Sequence, residues 1–356
     1  MTSIPKTQKA LIIPELGAPY TLIERQVPSP GPEDVLVKIE AIGLNPSEWK
    51  VLDLDMAMLA GHMQLSKTYP AAVGQDAAGI VVDVGSGVTN FSKGDRVLFH
   101  GWFEDDYSPH QEYALAIADN VAKIPSSMGF LEASSIPLTL ATAALGLSMP
   151  YSATAIGGLG LKGFWEDDAQ GFYKGQSILI LGGSSSIGQF AIQITRYLGF
   201  SQIITTSSVK HTDFLRKLGA THVIDRHADI AKETKAIVGD AGFKYIYDCV
   251  SDPVSQTEVD YLAPGGTIVV VNLVPDTLKF ADDRKAIFLW GLPRLFKDAG
   301  KAMYSKLPEF LAKGIIKPNR VEKLPGGLQG IHEGVKRLKG GQVSGQKLIL
   351  VPSETA

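Results

Sequence analysis

Cysteine is almost missing from this chain: Cys249 is the only one among 356 residues. A lone cysteine excludes an intramolecular disulfide and any cysteine-rich zinc module, and it suits a reducing, cytoplasmic setting. A basic tract is missing too. The chain has 34 Lys and Arg against 37 Asp and Glu, a net charge of −3. The cations are scattered, which argues against a nucleic-acid partner. The first residues, MTSIPKTQKALIIPELG, hold no long apolar run after their lysines, so no secretory signal is expected. The stretch from Ala133 to Leu161 lacks charge and has the length of a membrane span. Pro137, Pro150, Gly157, Gly158 and Gly160 break it, so the expectation is a buried helix within Leu131–Leu147, then an irregular loop, with no membrane insertion. There is no internal repeat and no low-complexity tract.

What is present is enough apolar material, 45% of the residues, for two cores. The first 125 residues read as strands and turns. In Val35–Ile42 the alternation puts Val35, Val37, Ile39 and Ala41 on one face. Gly79–Val84 and Asp95–Phe99 are further β-prone runs, and the segment looks like an irregular barrel or sandwich. From about residue 126 the texture changes. Short apolar strands at Ser177–Leu181, Gln202–Thr206, His222–Ile224, Tyr245–Val250 and Thr267–Val271 alternate with helical stretches such as Ile187–Leu198 and Thr212–Leu218. That alternation predicts an α/β domain with right-handed crossovers and a parallel sheet. After Pro275 it fades. Helices are expected ending near Lys313 and over Leu328–Leu338, and the terminal strand Lys347–Val351 most simply returns to the first domain. The organisation read from the sequence is therefore 1–125 (first domain), 126–300 (parallel-sheet domain) and 301–356 (return to the first domain).

The most chemical local segment is SILILGGSSSIGQFAIQIT, Ser177 to Thr195. A buried strand enters a Gly182-Gly183 turn and a helix leaves it. Ser184, Ser185 and Ser186 offer hydroxyls and N–H groups at the helix start, as a pyrophosphate requires, and Gly188 lets helix and strand pack closely. The pattern departs from strict G-x-G-x-x-G, and its β/α context is what gives it weight. The second strand then runs into Ser207-Ser208-Val209-Lys210-His211 with no acid to take ribose hydroxyls. Ser208 and Lys210 can instead receive a 2′-phosphate, so NADPH is the expected cofactor.

Taken together, the segments Asn45-Pro46-Ser47-Glu48-Trp49-Lys50, Val73-Gly74-Gln75-Asp76-Ala77-Ala78-Gly79, Gly94-Asp95-Arg96-Val97, GGSSSIGQFAIQ, Leu218-Gly219-Ala220, Tyr247-Asp248-Cys249 and Val343-Ser344-Gly345-Gln346-Lys347-Leu348 resemble the medium-chain dehydrogenase/reductase family. Within it the chain is similar to the zinc-free quinone-reductase and enoyl-reductase branch, and to fungal trans-acting enoyl reductases serving polyketide synthases. The resemblance implies a GroES-like β-rich substrate domain plus a Rossmann-type parallel-sheet domain, and reduction of an activated C=C bond by NADPH. It implies Ser47, Glu48, Trp49 and Lys50 at the nicotinamide end. Ser184, Ser185, Ser186 and Ile187 would lie at the pyrophosphate, and Ser208, Val209, Lys210 and His211 at the adenosine phosphate. Val271, Asn272, Val343 and Ser344 would lie beside the nicotinamide half, and Leu138, Thr139, Thr142 and Leu145 would border the acyl substrate. Arg226 stands where several relatives have a tyrosine near the adenine. The partners implied are a small enone, enoyl thioester or quinone, and a polyketide synthase.

Zinc-dependent relatives place a cysteine within the equivalent of Leu44–Ser47 and a His-Glu pair where this chain has Gln75-Asp76, so no metal is expected. His100 and His110 flank an acidic aromatic loop and read as solvated loop residues; Cys249 reads as inert core. Without a metal to hold an alkoxide, conjugate reduction is the easier chemistry, because its enolate can be held by hydroxyls, N–H groups or a lysine. Lys50, read as a lysine following a turn, is the candidate for polarising the carbonyl or contacting the nicotinamide ribose. Quinone reduction and a non-catalytic NADPH-binding role are the alternatives. The long Met149–Gly175 segment reads as a substrate cover, a partner contact or a surface decoration.

Overall fold

The computed structural model describes residues 4–53, 69–152, 156–272 and 274–356. It forms two units, one of Met1–Leu138, Leu307–Ala312 and Lys317–Ala356, the other of Thr139–Lys306 and Lys313–Ile316.

The first unit is built on β-strands. β1 (Thr7–Ile12) and β2 (Thr21–Gln26) pair as an antiparallel ribbon. β3 (Asp34–Gly43) is followed by helix α1 (Ser47–Asp53), then β4 (Asp76–Val84), β5 (Arg96–His100), β6 (Tyr113–Ile117) and β7 (Val121–Lys123). β3 pairs with both β4 and β6, and β4 pairs with β5. Because β3 is central, both of its faces are covered: Leu36 and Ile42 are as buried as the alternating set Val35, Val37, Ile39 and Ala41. A one-faced strand was the expectation; a central position accounts for the difference.

The apolar helix expected within Leu131–Leu147 is two helices, α2 (Phe130–Ala133) and α3 (Pro137–Ser148). Pro137 explains the break, since proline disfavours helical geometry in the residue before it and opens a helix well. The segment Phe130–Ser148 has the length and apolarity of a membrane span, yet 78% of it is buried inside the fold, as a core helix is.

The second unit holds β8 (Ser177–Leu181), α4 (Ser186–Tyr197), β9 (Gln202–Ser207), α5 (Thr212–Leu218), β10 (His222–Asp225), α6 (Ile230–Val238), β11 (Phe243–Asp248), α7 (Gln256–Asp260), β12 (Leu262–Val270) and β13 (Lys285–Phe288). These strands form a parallel sheet in the order β10-β9-β8-β11-β12-β13, the doubly wound arrangement with a reversal beside the first strand. Leu179, Leu181, Ile204, Phe243, Ile246, Ile268 and Val270 pack into one cluster against Val254, Val259 and Leu262, each such side chain contributing about 1.5–3 kcal/mol. β13 was not expected after Pro275; its four residues are held by pairing with β12. The 149–175 segment is partly core. Leu159, Leu161, Phe164, Ala169 and Tyr173 are buried, and Tyr173 stacks on Phe200 at 4.9 Å.

α8 (Lys297–Ala312) then leads to β14 (Val321–Lys323), α9 (Ile331–Lys339) and β15 (Lys347–Leu350). β15 pairs with β3, so the late strand does return to the first sheet.

Candidate functional site

In the second unit, β8 ends in Gly182, whose φ of +79° is the left-handed region that favours glycine. The N–H of Gly182 donates to Oγ1 of Thr206 and that of Gly183 to the Thr206 carbonyl, both at 3.0 Å. A Cβ at Gly183 would lie 2.1 Å from Oγ1 of Thr205, and one at Gly188 would lie 2.4 Å from the Gly182 carbonyl oxygen. Neither position admits a side chain without movement. Ser185 caps α4 by accepting from the Gly188 N–H at 3.0 Å, and Ser184, Ser185, Ser186 and Ile187 are half-buried at that helix start. A helix N-terminus reached by a side-chain-free turn is suited to a pyrophosphate.

Next to it, β9 ends at Ser207, a buried residue whose Oγ has no hydrogen-bond partner within the protein. Such an atom calls for a ligand or a water. Ser208 is half-buried, Val209 and Lys210 are exposed, and His211 turns inward and is buried. The neighbouring strand brings Arg226 to the same end, its N–H donating to the Ser207 carbonyl at 2.9 Å. Asp225, also at that end, accepts from the His227 N–H. The sequence reading started at Ser208 and missed Ser207; its place as the last residue of the strand was the available signal.

Asp248 ends β11 and accepts from the N–H groups of Val250 and Ser251 through Oδ1, while buried Oδ2 has no partner. Burial pushes this carboxyl above its ordinary range. Cys249 follows, buried, its thiol pushed up by the same cause. Val271 and Asn272 are half-buried just past β12, Asn272 donating to the Ser251 carbonyl at 2.7 Å. The C-terminal ends of β8, β9, β10 and β12 thus carry the predicted dinucleotide residues of this unit, at one end of the parallel sheet. In α3, Thr139 and Thr142 are buried and Leu145 fully so, whereas Leu138 is half-buried. Tyr247 donates from its hydroxyl to the Thr142 carbonyl at 2.7 Å.

In the first unit, Lys50 lies within α1, not simply after a turn. That helix opens at Ser47, and the Glu48 carboxyl oxygen Oε2 accepts from the Asn45 N–H at 2.7 Å, an acceptor three residues on that steadies the entry. Ser47 donates to the same carboxyl oxygen at 3.1 Å. Ser47, Glu48, Val51, Val73, Gly74, Gln75 and Phe103 line a small concavity. Trp49 is half-buried, with Nζ of Lys50 5.7 Å from its ring centre. Val343 is half-buried and Ser344 exposed in the turn before β15.

His100 and His110 are buried, which corrects the solvated reading. His100 is the last residue of β5 and pairs with Asp76 of β4, and His110 lies against β1, its carbonyl accepting from the Leu11 N–H; a Cβ at Gly74 would touch the His110 ring. Nε2 of His110 is 3.7 Å from Oε1 of Glu48, too long for a hydrogen bond. Burial lifts the Glu48 carboxyl from 4.5 to about 8 and lowers His110 from 6.5 to about 3. The two are a neutral acid beside a neutral ring, because each is sealed from the water that would solvate its charge.

The signs give a test. Folded Glu48 keeps a proton that the unfolded chain releases above 4.5, so its contribution is complete below 4.5 and lost as pH rises to about 8. His110 runs oppositely: its contribution is complete above 6.5 and lost as pH falls toward about 3. Between 6.5 and 8 only the Glu48 decline operates within this pair. Glu48→Gln retains an acceptor for the Asn45 N–H and should flatten the melting temperature over that window. An undiminished slope would place the titrating group elsewhere.

Two family models match the chain: "Alcohol dehydrogenase GroES-like domain" over residues 31–130 and "Zinc-binding dehydrogenase" over residues 186–290. The trans-enoyl reductase tndF of Aspergillus flavipes is 31% identical, the alignment covering 97% of this chain and 99% of that protein. Among solved structures, an alcohol dehydrogenase superfamily protein from Novosphingobium aromaticivorans superposes with a TM-score of 0.77 at 25% identity, covering 97% of this chain and 99% of that one. The CurK enoyl reductase superposes with a TM-score of 0.75 at 20% identity, covering 98% and 99%.

A nicotinamide dinucleotide fits the second unit: the cradle at Gly183 and Gly188 is one a Cβ would fill, and the unpartnered Ser207 hydroxyl lies beside it. A zinc ion does not fit the first. Among the described residues no three His, Cys, Asp or Glu side chains converge, and Asp76 is already engaged by the Nζ of Lys347 and the amide of Asn45. With a GroES-like unit, a Rossmann-type parallel sheet and near full-length kinship to a fungal trans-enoyl reductase, the chain belongs to the medium-chain dehydrogenase/reductase family and is an oxidoreductase.

Proposed function

We propose that the protein reduces the C=C bond of an α,β-unsaturated carbonyl compound, using NADPH and no metal. The observation that carries the cofactor choice is the end of β9, where Ser207, Ser208, exposed Lys210 and neighbouring Arg226 gather. A carboxylate there would repel a 2′-phosphate. Asp225, paired in register with Ser207 on the adjacent strand, accepts from its own loop at 3.0 Å. That no zinc site fits among the described residues supports conjugate reduction over carbonyl reduction, which needs more help with its developing alkoxide. The enoyl reductase names of the relatives support the same class.

When bound, the dinucleotide supplies a hydride for the β-carbon. Ser184–Ile187 hold the pyrophosphate at the start of α4, and Ser208 and Lys210 hold the 2′-phosphate. Lys50 polarises the carbonyl or contacts the nicotinamide ribose, stabilising negative charge as the enolate forms. The proposed acceptor is an enone or enoyl thioester, the latter presented by a polyketide synthase.

The deciding experiment mixes protein and NADPH with enones, enoyl thioesters and quinones and identifies the products. A saturated carbonyl product is expected. An allylic alcohol would overturn the reading, quinone turnover alone would make this a quinone reductase, and no NADPH oxidation at all would leave a binding protein. Lys210→Ala should weaken NADPH binding about tenfold, the loss of roughly 1–3 kcal/mol of charge-assisted hydrogen bonding, and leave NADH almost unchanged. Equal losses would show that Lys210 does not read the phosphate.

A further inference from the structure

Asp76 is 0% exposed, and its carboxylate gathers donors from three distant stretches of chain. Oδ1 accepts from the N–H of Leu138 in the first turn of α3. Oδ2 accepts from Nδ2 of Asn45 at 2.8 Å and pairs with Nζ of Lys347, itself 2% exposed. Asn45 lies two residues before α1 and is tied to it by its N–H, which donates to Glu48 in the first turn; Lys50 follows within the helix. The Lys347 ammonium also points to the Ser135 carbonyl, at 3.5 Å, in the turn between α2 and α3.

Hydrophobic residues of similar volume often stabilise a fold as well as a buried ion pair does, because both charges must be stripped of water. What the pair supplies here is direction. One carboxylate fixes the start of α1 and the first turn of α3 to each other, and the ammonium of β15 neutralises it from within the chain. This is the Gln75-Asp76 position, at which zinc-dependent relatives carry a His-Glu pair.

We propose that Asp76 and Lys347 are positioning residues for the reduction, holding the first turn of α3 against the start of the Lys50-bearing helix. The inference rests on the reading of the protein as an enoyl reductase. Neither residue touches the reacting atoms.

The test is the double variant Asp76→Asn/Lys347→Met, which removes both charges. The introduced amide oxygen still accepts from Leu138, and Asn45, whose Oδ1 has no partner in the native interior, can turn its amide to accept from the introduced NH2. The expected result is a cooperatively folded protein with NADPH affinity close to native and kcat/KM for an enoyl thioester down about tenfold or more, as small displacements of reacting groups produce. Faster amide exchange at Leu138 should accompany it, and Lys347→Arg should retain most activity. A folded double variant with native kinetics would overturn the proposal and leave the pair a packing feature only. If the double variant does not fold, Asp76→Glu keeps the charge and moves the carboxylate by one methylene; the same loss of kcat/KM supports the proposal and native kinetics overturn it. If the native protein reduces neither enone nor thioester, the enoyl reductase reading fails first, and the positioning role falls with it.

Discussion

Lys347→Met is expected to destabilise the protein by about 3–5 kcal/mol, the usual consequence of leaving one member of a buried ion pair without its partner. Asp76 is fully enclosed, and its remaining donors, the Leu138 N–H and the Asn45 amide, are neutral. Without the ammonium, the carboxylate is left as an uncompensated charge in the interior, which costs free energy. Replacing Asp76 by Asn in the same chain should recover most of the loss. Denaturant unfolding of native, single and double variants measures this directly. A single variant as stable as the native protein would show that water reaches Asp76 and that the ion pair contributes little.

Gly188→Val should abolish tight dinucleotide binding while leaving much of the first unit intact. A Cβ at this position falls 2.4 Å from the Gly182 carbonyl oxygen and 2.7 Å from the Gly183 Cα. Both obstacles are backbone, so no rotamer change relieves them, and α4 has to move away from the turn. Overpacking of this kind costs about 1–3 kcal/mol. The larger effect is on the ligand. The helix start and the glycine turn no longer share the geometry that a pyrophosphate requires, and NADPH affinity should fall well over about tenfold. Fluorescence titration with NADPH, alongside a melting curve, separates the two effects. Native affinity in a folded variant would mean that this turn is not where the pyrophosphate sits.

The dinucleotide half was legible because its signals are local. Ser177–Leu181 is a strand by composition, Gly182-Gly183 can only be a turn, and Ser185 is a cap that the following helix needs; all three stand within a dozen residues. α1 was legible in principle and was missed: Asn45 and Glu48 have the spacing of a reciprocal cap, yet Pro46 and the preceding strand made Lys50 read as a residue after a turn. The burial of His100 and His110 was not legible. Their neighbours Glu104, Asp105, Asp106 and Tyr107 suggest a wet loop, and only the strands that close over them reverse the inference. The Asp76–Lys347 pair was least accessible of all, since 271 positions separate the two residues and nothing near either one announces the other.

That separation bears on how the protein is made. The parallel sheet is complete once β13 has been synthesised, and it can close on its own apolar cluster. The first sheet cannot. Its central strand β3 waits for β15, and Asp76 waits for a cation 271 positions further along the chain. Domains usually mature from the N-terminus onward as the chain emerges; here the first unit is closed by β14 and β15, which follow every strand of the parallel sheet. A nascent chain halted near residue 340 is expected to carry an assembled parallel sheet and a first unit whose buried carboxylate has no counter-charge. Such a chain should be more open to chaperones and proteases than the whole protein.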